Sequence, residues 1–191
     1  MALPRDMMTA VMELPRVDTA EPVAPVVEAA RGGDAGAFAE LYRRYSRSVH
    51  AILLSRLGPE ESREAAQDVF MTVHRKLGAL QDPAAFGPWV HTIARHHAVS
   101  VLRRRGARPA EEPLTDLPAR AAGESGLRDR VLVLIQGLPE AYRETLMMRL
   151  VEGLAGPEIA EATGLTPASV RVNLHRGMEL LRPLLQKEGW P

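Results

Sequence analysis

LPEAYRETLMMRLVEGLAGPEIAEATGLTPASVRVNLHRGMELLRPLL, residues 138–185, packs three helix starts and two stops into one short run. Pro139 suits the opening of a helix, because the first helical N–H has no intrahelical partner in any case. Leu138, Tyr142, Leu146 and Leu150 then recur every four residues, and Gly153 marks the stop. Gly156 caps the next helix with Pro157 in its first turn, followed by Ile159, Ala160 and Gly164. Thr166-Pro167 starts a third, longer helix with Val170, Leu174, Gly177 and Leu181 on one side. Two helices joined by a short turn at a glycine, the second polar on its outer face, form the pattern of a helix-turn-helix. Ser169, Arg171, Val172, His175 and Arg176 lie on that outer face. There they can reach base edges or phosphates once the helix enters a major groove. A helical hairpin with a solvated face is the plainer alternative.

The rest of the chain sets bounds on what such a unit belongs to. With 191 residues and 46% hydrophobic content, the chain can bury a core and hold two small domains. Cysteine is absent, which removes disulfides, thiolate nucleophiles and Cys-based zinc sites. No apolar run approaches a membrane span, and the N-terminus lacks the apolar core of a signal peptide, so the expected location is the cytoplasm. Formal net charge is zero, which argues against a uniformly basic coat, but the charge is unevenly placed.

Residues 1–25 read as a disordered or loosely packed extension, punctuated by Pro4, Pro15, Pro22 and Pro25. From Val26 to about Arg105 the pattern is helical. Asp34 caps a long helix carrying Phe38, Leu41, Tyr42, Tyr45, Val49, Ile52 and Leu53, and Gly58-Pro59 breaks it. The next helix, about Glu60 to Leu77, buries Ala66, Val69, Phe70 and Val73. Its other face presents Glu64, Asp68, Met71 and Arg75. That face is either solvated or a dock for a basic partner helix; no Glu-x-x-His completes a metal site.

A turn over 78–83 leads into a fourth helix ending near Arg105. No acidic residue occurs from Pro83 to Ala110, while Arg95, Arg103, Arg104, Arg105 and Arg108 add positive charge. Phe86, Val90, Ile93, Ala94 and Val101 form the expected buried stripe, with Thr92, Arg95, His96, Val99 and Arg103 on the far side. A basic face with Phe86 and Trp89 beside it suits separated DNA strands, in which Arg meets phosphate and bases stack on rings. A basic helix end favoured by the macrodipole is the alternative, and Trp89 by itself reads as core. His97 falls on the buried stripe as a hydrogen-bonded core histidine. Residues 106–124, rich in Pro, Gly and acids, read as a linker, and residues 125–191 as the second domain.

Taken in order, these segments resemble the extracytoplasmic-function (ECF) sigma factors of bacterial RNA polymerase, within the sigma-70 family. The resemblance covers about Val26 to Gln186. Glu64-Ala-Ala-Gln67-Asp68-Val69-Phe70-Met71 with Arg75-Lys76-Leu77 is similar to the family's core-polymerase-binding helix. Phe86-Gly-Pro-Trp89-Val90 with Ile93-Ala94-Arg95 and Leu102-Arg103-Arg104-Arg105 is similar to its promoter-melting and −10-reading segment. Leu138-Pro139, Glu152-Gly153-Leu154, Glu158-Ile159-Ala160, Val170-Arg171 and Leu174-His175-Arg176 are similar to its −35-reading domain.

The resemblance implies an all-α fold: a four-helix sigma2-like domain and a helix-turn-helix sigma4-like domain on a flexible linker. It implies that Glu64, Asp68, Met71 and Arg75 dock on the beta-prime clamp of core RNA polymerase, with the beta flap as a second polymerase contact. Phe86, Trp89, Thr92, Arg95, His96, Arg103 and Arg104 would meet the −10 element. Ser169, Arg171, Val172, His175 and Arg176 would meet the −35 element. An anti-sigma factor is the expected regulator. No cofactor, metal, small-molecule substrate or membrane insertion is implied, and no enzymatic activity. The alternative function is a two-domain helix-turn-helix repressor or activator that works without polymerase.

Overall fold

The computed structural model describes residues 22–106 and 124–189, with side chains described from residue 130 onward in the second segment. Most of the N-terminal extension and nearly all of the linker read from the sequence lie outside the described residues. Eight α-helices occur among the described residues. We label them α1 (Val23–Arg31), α2 (Ala35–Leu54), α3 (Pro59–Lys76), α4 (Phe86–Gly106), α5 (Glu124–Gln136), α6 (Glu140–Leu146), α7 (Gly156–Thr163) and α8 (Pro167–Lys187).

Helix boundaries follow capping chemistry. The Asp34 carboxylate accepts from the backbone N–H of Gly36 at 2.7 Å and of Ala37 at 3.1 Å, satisfying two orphan donors of α2. Pro59 opens α3, and the Glu61 carboxylate reaches back to the Gly58 N–H. Asp82 caps the single turn before α4 through the Ala84 N–H at 2.9 Å. The first helix begins at Val23, earlier than the sequence suggests, because Pro25 falls in its first turn, where a missing N–H costs nothing.

α1 to α4 form a four-helix domain around Leu41, Val49, Ile52, Leu53, Val69, Val73, Phe86 and Val90, all fully or almost fully buried. Each such side chain contributes about 1.5–3 kcal/mol by leaving water. Arg31 Nε donates to Leu77 O at 3.1 Å and ties α1 to the end of α3. α5 to α8 form the second domain, with Ile135, Leu146, Met147, Ile159 and Leu181 at its centre.

Two sequence expectations need correction. The four-residue recurrence of Leu138, Tyr142, Leu146 and Leu150 does not mark the burial: Tyr142 and Leu150 are only half-buried, whereas Met147 and Met148 are buried. The chain widens into a π turn over Met147–Val151, so each further residue is rotated off the period of 3.6. Arg149 is carried inward by the same turn, where its guanidinium donates to Leu154 O at 3.0 Å; burial pulls its pKa down. In the first domain the core histidine is His91, not His97. His91 is 1% exposed and 2.7 Å from Ser48 Oγ, whereas His97 Nε2 lies 3.6 Å from the Asp68 carboxylate at the edge of α3.

The two domains also lie against each other. α2 packs on the π turn, α4 packs on α7, and the buried side chains of both domains join in one continuous core. The sequence led us to expect two separate grips on a tether.

Candidate nucleic-acid interface

The helix-turn-helix is built as its punctuation implies. The Glu158 carboxylate accepts from the Ala155 N–H at 2.6 Å, so Ala155 rather than Gly156 is the capping residue of α7. Gly164 ends α7 with φ of 72°, a left-handed conformation that costs other residues about 1–2 kcal/mol. Thr166 then caps α8, its hydroxyl accepting from the Ser169 N–H at 3.1 Å. Val170, Gly177 and Leu181 turn inward. Gly177 sits so close to α6 that a Cβ there would be 2.8 Å from Leu146 Cδ1.

The opposite side of α8 presents Arg171, Val172, His175 and Arg176, all exposed, with Ser169 half-buried at its N-terminal edge. The Ser169 hydroxyl is 2.9 Å from that of Thr166, and His175 Nε2 is 3.5 Å from Glu179. Asn173 donates to Ala141 O at 3.1 Å, and so fixes α8 on α6 rather than facing a groove.

On α4 the structure divides the sequence-derived set. Thr92, His96, Arg103 and Arg104 are exposed along one side with Val99 and Leu102. The Thr92 hydroxyl donates to Pro88 O at 2.8 Å, one turn back, and Arg104 Nε reaches Ser100 O. His96 shares a shallow cleft between α3 and α4 with Thr72, Lys76, Ile93 and His97. Thr72 and Lys76 come to this cleft from α3, a neighbourhood that spacing along α4 does not reveal. Phe86 does not join this surface. It is completely buried on the stripe it shares with Val90 and Ala94, its ring centroid 5.0 Å from that of Tyr45 and 5.9 Å from that of Trp89. Trp89 is half-buried at the rim.

Arg95 also departs from expectation. Its Nη2 donates to Glu144 Oε1 at 2.5 Å and to the Ala162 carbonyl at 2.7 Å, both in the second domain. Helical phase places Arg95 on the outer side of α4, but α7 covers it there.

Glu64, Asp68, Met71 and Arg75 share one exposed face of α3, with Met71 58% exposed. Arg75 donates to Thr72 Oγ1 at 3.2 Å. Beside this face runs a groove lined by Tyr42, Arg47, Arg63, Gln67 and Phe70, in which Tyr42 leaves its ring against Phe70 at 4.6 Å.

Comparison with known proteins places this geometry. The sigma-70 region 2 family model matches residues 41–108, and the sigma-70 region 4 model matches residues 128–181. The RNA polymerase sigma factor CarQ of Myxococcus xanthus is 32% identical over 165 residues, covering 83% of this chain and 95% of its own. The chain belongs to the sigma-70 family of RNA polymerase sigma factors.

The ECF RNA polymerase sigma-E factor of Haemophilus influenzae is 26% identical over 177 residues, covering 84% of this chain and 94% of its own. Among solved structures, CnrH in complex with the cytosolic domain of CnrY superposes with a TM-score of 0.62 at 21% identity, covering 87% and 99% of the two chains. The sigma factor RpoE in complex with the anti-sigma factor NepR from Bartonella quintana gives a TM-score of 0.54 at 16% identity, covering 78% and 96%. Both likenesses concern the fold. The all-α, two-domain expectation holds, and region 4 coincides with the helix-turn-helix. As a sigma factor of this family the protein works with RNA polymerase on promoter DNA to start transcription. Among the described residues no helix is long and apolar enough to cross a membrane.

Proposed function

We propose a division of labour in this sigma factor at the level of single residues. The domain over 26–105 docks on the beta-prime clamp of core polymerase through Glu64, Asp68, Met71 and Arg75. It meets the separated −10 strand through Thr92, His96, Arg103 and Arg104, and through Arg95 once that side chain is released. Trp89 supports this surface from its rim. Phe86 acts from beneath it, as packing rather than as a base contact.

The domain over 125–191 reads the −35 duplex with Arg171, His175 and Arg176, assisted by Ser169 and Val172, and also meets the beta flap. The protein works by binding, not by catalysis, in the cytoplasm, and an anti-sigma factor restrains it.

The observation that carries this reading is the sidedness of α8: Val170, Gly177 and Leu181 are buried while Arg171, Val172, His175 and Arg176 are all exposed. Such a helix can enter a groove without unpacking its own domain. The test is reconstitution with core polymerase on a promoter library. Polymerase-dependent initiation that shifts its upstream base preference in an Arg171→Ala protein supports it. DNA binding that is identical with and without polymerase would favour a repressor.

A further inference from the structure

The outer face of α8 has an apolar centre. Leu181 is fully buried, and Val172 stands about two and a half helical turns before it, which puts the two on opposite sides of the helix. Val172 therefore points almost directly away from its own domain, and it is 46% exposed. His175 and Arg176, both exposed, flank it on the next turn, and the exposed Ala168 lies one turn before it on the same side. Asn173, the residue that follows, is turned aside to donate to Ala141 O at 3.1 Å.

A valine in that position restricts what it can meet. It has no donor or acceptor, so base-edge nitrogens and oxygens pressed against it would give up hydrogen bonds to water and gain none in return. Phosphates line the walls of the groove, where the longer Arg176 can reach them. The apolar feature of the major-groove floor is the C5-methyl group of thymine. Valine is also stiff: one χ1 rotamer dominates in a helix, so its two methyl groups are held in place and lose little freedom on contact.

We propose that Val172 is a specificity-determining residue of this sigma factor and reads a thymine of the upstream promoter element through its C5-methyl group. The inference rests on the reading of α8 as the −35 recognition helix. Arg171 projects about 100° round the helix from Val172, so the two side chains address different base pairs. One does so by hydrogen bonding to a guanine edge, the other by apolar contact. A methyl group buried in such a contact is worth roughly two- to fivefold in affinity.

The test uses holoenzyme assembled from the full chain and core RNA polymerase, with a duplex carrying the upstream element that it selects from a randomised library. Each thymine of that element is replaced in turn by deoxyuridine, which removes the C5-methyl group and keeps every hydrogen bond. At one or two thymines the wild-type holoenzyme should bind roughly two- to fivefold more weakly. Val172→Ser, at an exposed position where the fold does not depend on the side chain, should bind the thymine duplex more weakly by a similar factor and be indifferent to deoxyuridine there. Val172→Thr, which keeps the branched shape and one methyl group, should retain part of the sensitivity. Deoxyuridine sensitivity that persists in full in Val172→Ser overturns the proposal, as does a selected element without thymine. If Arg171→Ala shifts the upstream preference while no thymine responds to deoxyuridine, α8 still reads the element and the thymine assignment alone fails. If neither Arg171→Ala nor Val172→Ser alters the upstream preference, α8 is not the reading helix, and this inference falls with that assignment.

Discussion

Ser48 Oγ lies 2.7 Å from His91 Nε2 in the interior of the first domain, with both side chains almost wholly removed from water. The Ser48 hydroxyl donates to Tyr45 O at 3.0 Å, so the imidazole must supply the proton between them, from Nε2. Nδ1 is then a bare acceptor, buried without a partner. A proton there would create a cation in the core with no acceptor, close to Arg95. Burial first, and the Arg95 charge second, lower the His91 pKa to about 3.

That relationship fixes a pH dependence. The unfolded chain takes up the His91 proton near the ordinary value of 6.5, while the folded chain resists it down to about 3. Stability from this group is complete above 6.5 and falls as pH drops towards 3, by at most about 1.4 kcal/mol per pH unit. Urea unfolding at a series of pH values should show this slope in the wild type. His91→Gln, which keeps a donor for Ser48, should flatten it. An equal slope in the variant would assign the acid sensitivity to other groups.

Gly177 offers a test of the helix-turn-helix packing. A Cβ there would be 2.8 Å from Leu146 Cδ1, 3.1 Å from Leu146 Cγ and 3.2 Å from Tyr142 Cβ. Leu146 is completely buried and has nowhere to move. Alanine gains about 1 kcal/mol of helix propensity, but overpacking costs about 1–3 kcal/mol. Gly177→Ala should therefore lower stability slightly and Gly177→Val severely, with upstream duplex binding falling in parallel. Gly156→Ala, which meets open space, should stay within about 0.5 kcal/mol of wild type. Chemical unfolding of the three proteins decides it.

How far these features were legible in the chain depends on how local their causes are. The cap at Thr166, the left-handed Gly164 and the stripe of Val170, Gly177 and Leu181 depend on neighbours within a few residues, and each was readable. The exposed face of Glu64, Asp68, Met71 and Arg75 follows from the same period. Arg95 was misplaced because helical phase says which side a residue takes, not what another domain lays over it. The period puts Phe86 on the buried stripe, where it lies, and complete burial is at odds only with the base contact that the resemblance implies. The exchange of His91 and His97 turned on Ser48, a partner that no spacing along α4 reveals.

The proposed polymerase-docking face can be tested by charge. The Asp68 side chain is 62% exposed and lies 3.6 Å from His97 Nε2, so reversing its charge should cost at most about 1 kcal/mol of stability. Asp68→Lys should nevertheless weaken binding to core polymerase in a pull-down or competition assay, and Glu64→Lys should do the same. Met71→Ser should weaken it by removing apolar area. Full retention by all three proteins would move the docking face to the groove beside Tyr42 and Phe70.

Arg171 gives the sharpest test of base reading. It stands exposed one residue after the buried Val170, near the N-terminal end of α8, the part of a recognition helix that enters a groove most deeply. A guanidinium there can form two parallel hydrogen bonds to a guanine edge, an arrangement that lysine cannot copy. Arg171→Ala should cost about 1–3 kcal/mol in binding of polymerase holoenzyme to its preferred upstream element and relax discrimination at one or two base pairs. Arg176→Ala, if that side chain meets phosphate, should instead weaken all sequences alike and reduce the salt slope by about one. Binding selected from a randomised upstream library at two salt concentrations separates the two roles. An unchanged base preference in the Arg171→Ala holoenzyme would show that other side chains of α8 choose the sequence.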